Sequence, residues 1–424
     1  MVTEQTIDDI LAGAASARDD APPPGDERYA AYCGELAARL TKHWDAVLAA
    51  NATDVARARE RGLPDSLLDR LGLAEAHLGT LTALAERTRV LLPEATAAGE
   101  TRTGAGGITA RKVAKALGVL LMIYEARPTV TVEGALLPVA VGNVAILRGG
   151  NEIAATNRAL GAVITESLAA AGLPEGMATV LADTDRKLVR QLLARYDVID
   201  ALIPRGSPSL IDYCRTSSAI PVIASGGGVN HLYVDRSADL ALAVEIALDS
   251  KLTEPTACNT VEMLLAHQDI AVELAESLLG RAEDFALRLD PALVDRVAAS
   301  PRCQPLEAHD DGREFLDRTL GLRAVAGPAE AVAHIRRHGS RHTEGVVATD
   351  RAVADRFLRD VDAAALVVNG SMRLHDGPTM GLGPELSIST GRLHVRGPVG
   401  LSALLTHSWA IEGRGAIRGS GGER

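Results

Sequence analysis

Leu117-Gly-Val-Leu-Leu-Met-Ile-Tyr124-Glu-Ala-Arg-Pro128 and, further on, Val144-Ala-Ile-Leu-Arg148-Gly-Gly150-Asn151 are short apolar, β-prone runs with a helix-length segment between them. The same texture recurs at Ala178 to Leu181, Val198 to Ile203 and Pro221 to Ala224. Strands that alternate with helices predict a parallel, doubly wound sheet. Upstream, Cys33, Leu36, Leu40, Trp44 and Leu48 fall on one stripe between charged positions, which predicts amphipathic helices packed on that sheet or on each other. Downstream, a second alternating block runs from His231 to about Val361, with strands at Leu232 to Val234, Val261 to Leu265 and Gly345 to Ala348, and predicts a second α/β domain. Another strand, Ala365 to Val368, precedes Gly377-Pro-Thr-Met-Gly381-Leu-Gly383-Pro-Glu385, which is too irregular for a helix and has the composition of a site-lining loop.

A chain of 424 residues, 47% hydrophobic and 23% charged, can bury more than one core. Its net charge of −11 argues against nucleic acid as a partner and favours small molecules and copies of itself. No apolar run approaches the roughly 20 residues of a membrane span. Glu4, Asp8 and Asp9 occupy the place of a basic leader region, so a cytoplasmic location is expected. Four widely spaced cysteines, Cys33, Cys214, Cys258 and Cys303, make neither a disulfide framework nor a metal-binding pair, and no metal is expected. Cys33 lies on a helical stripe and Cys214 in a helix expected after Ser207, both core positions, while Cys303 beside Arg302 reads as a surface thiol. The polar patch from Ala21 to Asp26 and the Gly-rich end from Gly419 to Arg424 are expected to be mobile.

Cys258 differs from the other cysteines. It follows Lys251-Leu-Thr-Glu-Pro-Thr-Ala257 and precedes Asn259-Thr-Val-Glu-Met-Leu-Leu265, so the thiol stands on a polar turn that feeds a strand, where a nucleophile is approachable. No GxGxxG or Walker pattern is present. Two strand-to-helix junctions remain: Arg148-Gly149-Gly150, whose amides, helix start and arginine suit phosphate or ribose, and Arg205-Gly206-Ser207-Pro208, where an N-cap serine precedes a proline. An ordinary left-handed turn and a plain helix start are the competing readings. Ser225-Gly226-Gly227-Gly228 lacks side chains, so that a flat ring or the thiol can come close.

With Ile123 to Pro128, Ala145 to Gly150, Ile203 to Gly206, Ile220-Pro-Val222, Cys258 to Glu262, Gly381-Leu-Gly383 and Leu393-His394-Val-Arg396-Gly-Pro-Val-Gly-Leu401 all in order, nearly the whole chain resembles the gamma-glutamyl phosphate reductases (glutamate-5-semialdehyde dehydrogenases) of the aldehyde dehydrogenase superfamily. The resemblance implies an aldehyde dehydrogenase-like α/β fold of two doubly wound parallel-sheet domains with a small β flap. Residues 1–230, with a return segment 364–396, would bind the cofactor, 231–363 would carry the thiol, and 101–115 with 397–424 would join subunits. It also implies NADPH as reductant, a small acyl phosphate as substrate, and a place in proline biosynthesis. Cys258 would attack the acyl phosphate, its own N–H and Asn259 would stabilise the oxyanion, and hydride would reduce the thioester to an aldehyde. Arg148, with Gly149 and Gly150, Arg205, Gly206, Ser207, Gly226, Gly227 and Glu314 would meet the cofactor, and Glu125, Arg127, Glu254, Gly381 and Gly383 the substrate. For Glu125, Arg127 and Arg396 a structural ion-pair network is the competing reading. His231 and His394 are expected to serve packing or hydrogen bonding.

Relatives that hydrolyse their thioester place a glutamate where this chain has Ala224 and Ser225, so hydrolysis is disfavoured. The chain also departs from the reductases: Thr253-Glu254-Pro255 stands where they read Gln-Arg-Pro, Ala140 replaces a lysine, Thr129 an asparagine, and Asn230 and Pro378-Thr379-Met380 differ. If position 254 meets an anion, the swap changes the local charge by two units, the chain is a pathway-dedicated paralogue acting on another acyl phosphate, and Glu254→Arg should raise activity on gamma-glutamyl phosphate. If Glu254 points to solvent, the substrate is unchanged. An aldehyde dehydrogenase passing its thioester to water or coenzyme A, and a silent binding partner of the amino-acid kinase that makes the acyl phosphate, are the alternatives. A homo-oligomer, a dimer or a dimer of dimers, is expected.

Overall fold

The computed structural model describes residues 6–104, 107–182 and 185–417; parts of the expected flap (105–106 and 418–424) and the Gly-rich end lie outside them. The chain divides into two compact units, residues 1–224 with 382–387 and 399–424, and residues 225–381 with 388–398.

The first unit begins with four helices, α1 (Ile7–Asp20), α2 (Glu27–Glu60), α3 (Asp65–Leu71) and α4 (Glu75–Ala95). Four of the five expected stripe positions, Cys33, Leu36, Leu40 and Trp44, are buried along α2, while Leu48 is half-buried and Val47 takes the buried place beside it. Ala21 to Asp26 is an ordered connection between α1 and α2, with Tyr29 Oη donating to Pro22 O at 2.5 Å, so the expected mobility is not seen there. Next come β1 (Thr101–Thr103), β2 (Thr109–Ala116), β3 (Val119–Tyr124), α5 (Thr129–Ala140), β4 (Val144–Gly149), α6 (Ala154–Ala170), β5 (Ala178–Val180), α7 (Arg186–Leu192), β6 (Ala201–Arg205) and α8 (Pro208–Ser217). β3 to β6 form a parallel sheet in the order β5-β4-β3-β6. Every residue of β3 is buried, as a central parallel strand covered on both faces requires. The helix α5 is apolar all round because it too is buried. Pro221 to Ala224 contributes only one parallel bridge, Leu202 to Val222, because Pro221 cannot donate to a ladder.

The second unit contains β7 (His231–Val234), α9 (Leu240–Leu252), β8 (Met263–His267), α10 (Ala271–Arg281), β9 (Ala286–Leu289), β10 (Cys303–Pro305), β11 (Thr319–Val325), α11 (Pro328–His338), β12 (Thr343–Val347), α12 (Arg351–Asp360) and β13 (Ala365–Val368). Its seven strands run in the order β10-β9-β11-β8-β7-β12-β13. The return segment expected for the first unit behaves otherwise: β13 pairs in parallel with β12, Thr343 opposite Ala365, and completes the second sheet. The strands β9 to β11 escape sequence reading because they are short or interrupted by charge, as in Ala286-Leu-Arg-Leu289. β14 (Glu385–Ser389), β15 (Gly397–Gly400) and β16 (Leu405–Glu412) follow, and β16 pairs antiparallel with β2 to make a three-stranded sheet, β1-β2-β16, in the region expected to be a flap.

Candidate active site

Cys258 is exposed on the turn between α9 and β8, whereas Cys33 and Cys214 are buried and Cys303 is half-buried. Burial pushes the Cys33 thiol up to about 12 and Cys214 up to about 11, which makes both poor nucleophiles. The turn is held by polar groups rather than by packing. Asn230 Nδ2 donates to Cys258 O (2.8 Å) and to Thr260 O (2.7 Å), and Asn230 Oδ1 accepts from Thr343 N–H. Thr260 Oγ1 donates to Glu254 O at 2.6 Å and closes the turn from the other end. Asn259 is buried, and its Nδ2 donates to His375 O at 3.0 Å. This residue therefore braces the turn, and the oxyanion role expected for its side chain has to share that commitment. Behind it, His375 and His342 both bond Thr343 Oγ1, at 2.8 and 2.7 Å. Burial pulls His375 down to about 4 and His342 to about 3, so both are neutral near pH 7.

The glycine run lies against the same turn. A Cβ on Gly228 would stand 1.9 Å from Cys258 O, a Cβ on Gly227 3.1 Å from Glu314 Oε2, and one on Gly226 2.9 Å from Thr390 Oγ1. Gly228 N–H donates to Glu314 Oε1 at 2.5 Å. The carboxylate of Glu314 thus fixes the glycine run beside the thiol's turn. Next to Glu314, Phe315 N–H donates to Glu262 Oε2, which also pairs at 2.7 Å with buried Lys251. Burial raises Glu262 to about 7 and lowers Lys251, each opposed by the other's charge. Glu254 is neither an isolated anion nor free in solvent: its Oε2 accepts from Arg373 Nη2 at 2.6 Å.

In the first unit, the two helix starts expected to take phosphate are already closed by carboxylates. Asp54 of α2 accepts from Ala155 N–H, Thr156 N–H and Thr156 Oγ1 at the start of α6. At the start of α8, Glu125 Oε2 accepts from Ser207 N–H at 2.7 Å and stands 2.4 Å from where a Gly206 Cβ would be. Glu125, expected to meet the substrate, here closes the start of α8, because a helix N-terminus attracts a carboxylate within reach. The glycines still matter for approach. A Cβ on Gly149 would fall 2.2 Å from Asn157 Nδ2, which belongs to a buried hydrogen-bonded triangle with Tyr124 and Thr131, and one on Gly150 would fall 2.0 Å from Glu152 Oε1. Glu152 Oε1 in turn holds Ala126 N–H, in a backbone with φ of +36°. Arg127 is exposed, and Arg148 and Arg205 are half-buried at the ends of β4 and β6. Arg396 pairs with Asp362 at 2.7 Å, a structural ion pair. Gly381 and Gly383 have φ of +73° and +80°, and Gly383 lies against Leu91 of α4. Ala140, where the reductases carry a lysine, is buried at the end of α5. Sequence reading missed a cavity of about 340 Å³ lined by Asn157, Arg158, Gly161, Thr165, Val180 and Leu181, because its walls come from the face of α6 and the edge strand β5 rather than from a motif.

The molecule thus has two parallel-sheet units, one with glycine turns at its strand ends and one with an exposed cysteine on a turn before a strand, the α/β organisation expected of an aldehyde dehydrogenase-like enzyme. The aldehyde dehydrogenase family pattern matches residues 34–302, and the chain belongs to that family. Within it the chain falls among the gamma-glutamyl phosphate reductases. It is 40% identical to the gamma-glutamyl phosphate reductase of Salmonella paratyphi C over 91% of this chain and 93% of the relative. The crystal structure of the gamma-glutamyl phosphate reductase of Thermotoga maritima superposes with a TM-score of 0.91 at 32% identity, covering 96% of this chain and 99% of that one. An acetylating aldehyde dehydrogenase from Geobacillus thermoglucosidasius shares the fold alone, with a TM-score of 0.67 at 16% identity over 97% and 96% of the two chains. Among the described residues no group of side chains could hold a metal ion, and no helix is long and apolar enough to cross a membrane.

Proposed function

We propose that the chain reduces gamma-glutamyl phosphate to glutamate 5-semialdehyde with NADPH, using Cys258 as nucleophile. The observation that carries this reading is the exposed thiol on a turn locked by Asn230, Asn259 and Thr260, with Gly228 leaning on its carbonyl. The Cys258 thiolate forms a C–S bond to the acyl carbon, the C–O bond to phosphate breaks, and phosphate leaves. A reduced nicotinamide dinucleotide, when bound, supplies the hydride for the thioester. The resulting hemithioacetal oxyanion lies next to the backbone of the turn, and its collapse expels the aldehyde and returns the thiolate. Turn rigidity keeps the sulfur in attacking position. The residues present fit the cofactor in two respects. Gly149, Gly150 and Gly206 leave room for the side chains of Asn157, Glu152 and Glu125 to pack against the strand ends, which shapes the floor of the region, and the cavity beside Arg158 has the size of a nucleoside-binding pocket. With carboxylates Asp54 and Glu125 at the helix starts, Arg158 on the wall of the cavity is the cation placed to meet its phosphates.

Water is a poor competitor for the thioester because Glu314, the carboxylate beside the glycine run, is engaged by Gly228 N–H. The edge strand β16 presents Trp409 and Ile411, 42% and 63% exposed, which supports association of copies along the β1-β2-β16 sheet. The test is the reverse reaction: glutamate 5-semialdehyde and NADP⁺ should give NADPH only when phosphate is present, and Cys258→Ala should lower the rate by about four orders of magnitude. Turnover without phosphate, or turnover surviving the substitution, sinks the proposal.

A further inference from the structure

The thiol's turn carries a second chemical character. Glu254 emerges after α9 with its side chain 59% exposed, and its Oε2 accepts from Arg373 Nη2 at 2.6 Å. Both residues are tied to the reactive turn. Glu254 O accepts from Thr260 Oγ1 and Ala257 N–H, while Arg373 stands in the short helical turn that leads to His375, whose carbonyl holds Asn259. An anion and a cation thus converge at one end of the Cys258–Asn259 segment. The pair is not satisfied as it stands: Arg373 Nε is buried without a partner. A charged donor left unpaired is unfavourable, and an exposed pair of this kind contributes little to folding, so neither observation reads as scaffold.

We propose that Glu254 and Arg373 form a clasp for the α-amino acid end of the substrate, Arg373 taking the α-carboxylate through the part of its guanidinium that is not buried and Glu254 the α-ammonium. The inference rests on the gamma-glutamyl reading above, since that acyl phosphate and its aldehyde both end in a zwitterion. When a zwitterion adds to an ion pair, every charge keeps an opposite neighbour. A substrate that lacks one charge leaves a protein group uncompensated, which is how such a site rejects it. The guanidinium fork suits a carboxylate, and a single ammonium suits a single carboxylate. The clasp makes the opposite prediction for Glu254→Arg: although the reductases the chain resembles carry arginine there, in this chain it would face Arg373 with like charge and lower activity.

The test uses the full chain in the reverse reaction and compares glutamate 5-semialdehyde with 5-oxopentanoate, which lacks only the ammonium. The native chain should prefer the amino aldehyde by about tenfold or more in kcat/KM. Glu254→Gln should remove most of that preference through KM, while Arg373→Gln should raise KM for both aldehydes by roughly tenfold, since both carry the carboxylate, and Arg373→Lys should recover part of it. A second readout needs no turnover: L-norvaline, which has the zwitterion but no reacting carbonyl, should slow iodoacetamide alkylation of Cys258, and either substitution to glutamine should abolish that protection. Equal effects of Glu254→Gln on the two aldehydes, or absence of norvaline protection in the native chain, overturns the clasp. Protection without any semialdehyde turnover would sink the proposed reaction and leave the clasp standing.

Discussion

The helix starts of the first unit and the cysteine turn of the second solve opposite problems. At α6 and α8 the chain closes its own anion-attracting ends with Asp54 and Glu125, so those amides are occupied. At Cys258, Asn230 and Asn259 are turned to the backbone of the turn and its neighbours, and the cysteine itself is exposed. In one region carboxylates close a helix end from within; in the other, side-chain amides fix a loop whose own side chain faces outward.

The comparison can be attacked from either side. The largest effect is expected from Gly228→Ala, whose Cβ would collide with backbone that cannot rotate away, moving the thiol by a sizeable fraction of an ångström. A drop of about 100-fold in kcat with unchanged NADPH affinity, read by kinetics and cofactor titration, is expected. An equal loss of cofactor affinity would break the separation between the two regions. Asp54→Ala removes the acceptor of the α6 start and should destabilise the fold by about 2 kcal/mol in urea titration, leaving alkylation of Cys258 unaffected in the folded protein. Glu125→Gln removes the negative charge at the start of α8. It should tighten NADPH several-fold at a stability loss of about 1 kcal/mol, and unchanged affinity would show that the cofactor phosphates lie elsewhere.

The smallest effect is a pH slope. His375 and His342 have folded pKa values depressed by burial to about 4 and about 3. Their neutral forms support the native state above the unfolded value near 6.5, and that support is lost as pH falls toward the folded values. Between pH 7 and 6 the loss is on the order of half a kcal/mol for each histidine. Thermal melts at the two values should show it, and His375→Gln should flatten the difference.

Much of this was legible in the chain. The buried strands β3 and β4 announce themselves as continuous apolar runs, and Cys258 as a cysteine on a polar turn that feeds a strand, because burial and exposure write directly into residue type. The caps were not legible. Nothing local marks Asp54 as the partner of Thr156, far along the chain and in a different helix, or Glu125 as the partner of Ser207. Asn230 looks in the sequence like an odd departure, yet its amide holds the carbonyls of Cys258 and Thr260. The membership of β13 in the second sheet was hidden for the same reason, since an apolar run names a strand but not its neighbour.

The route of the chain between its units carries a lesson about modularity. It passes from one to the other after residues 224, 381, 387 and 398, and the short piece 388–398 supplies Ser389, the bridge partner of Ser225, and Thr390, against which Gly226 rests. A gene fragment encoding 225–381 alone would hold the nucleophile and Glu314 yet lack one wall of the glycine run. The two units are therefore inherited as a single indivisible cassette, and exchanging either one between homologues requires several coordinated junctions instead of one.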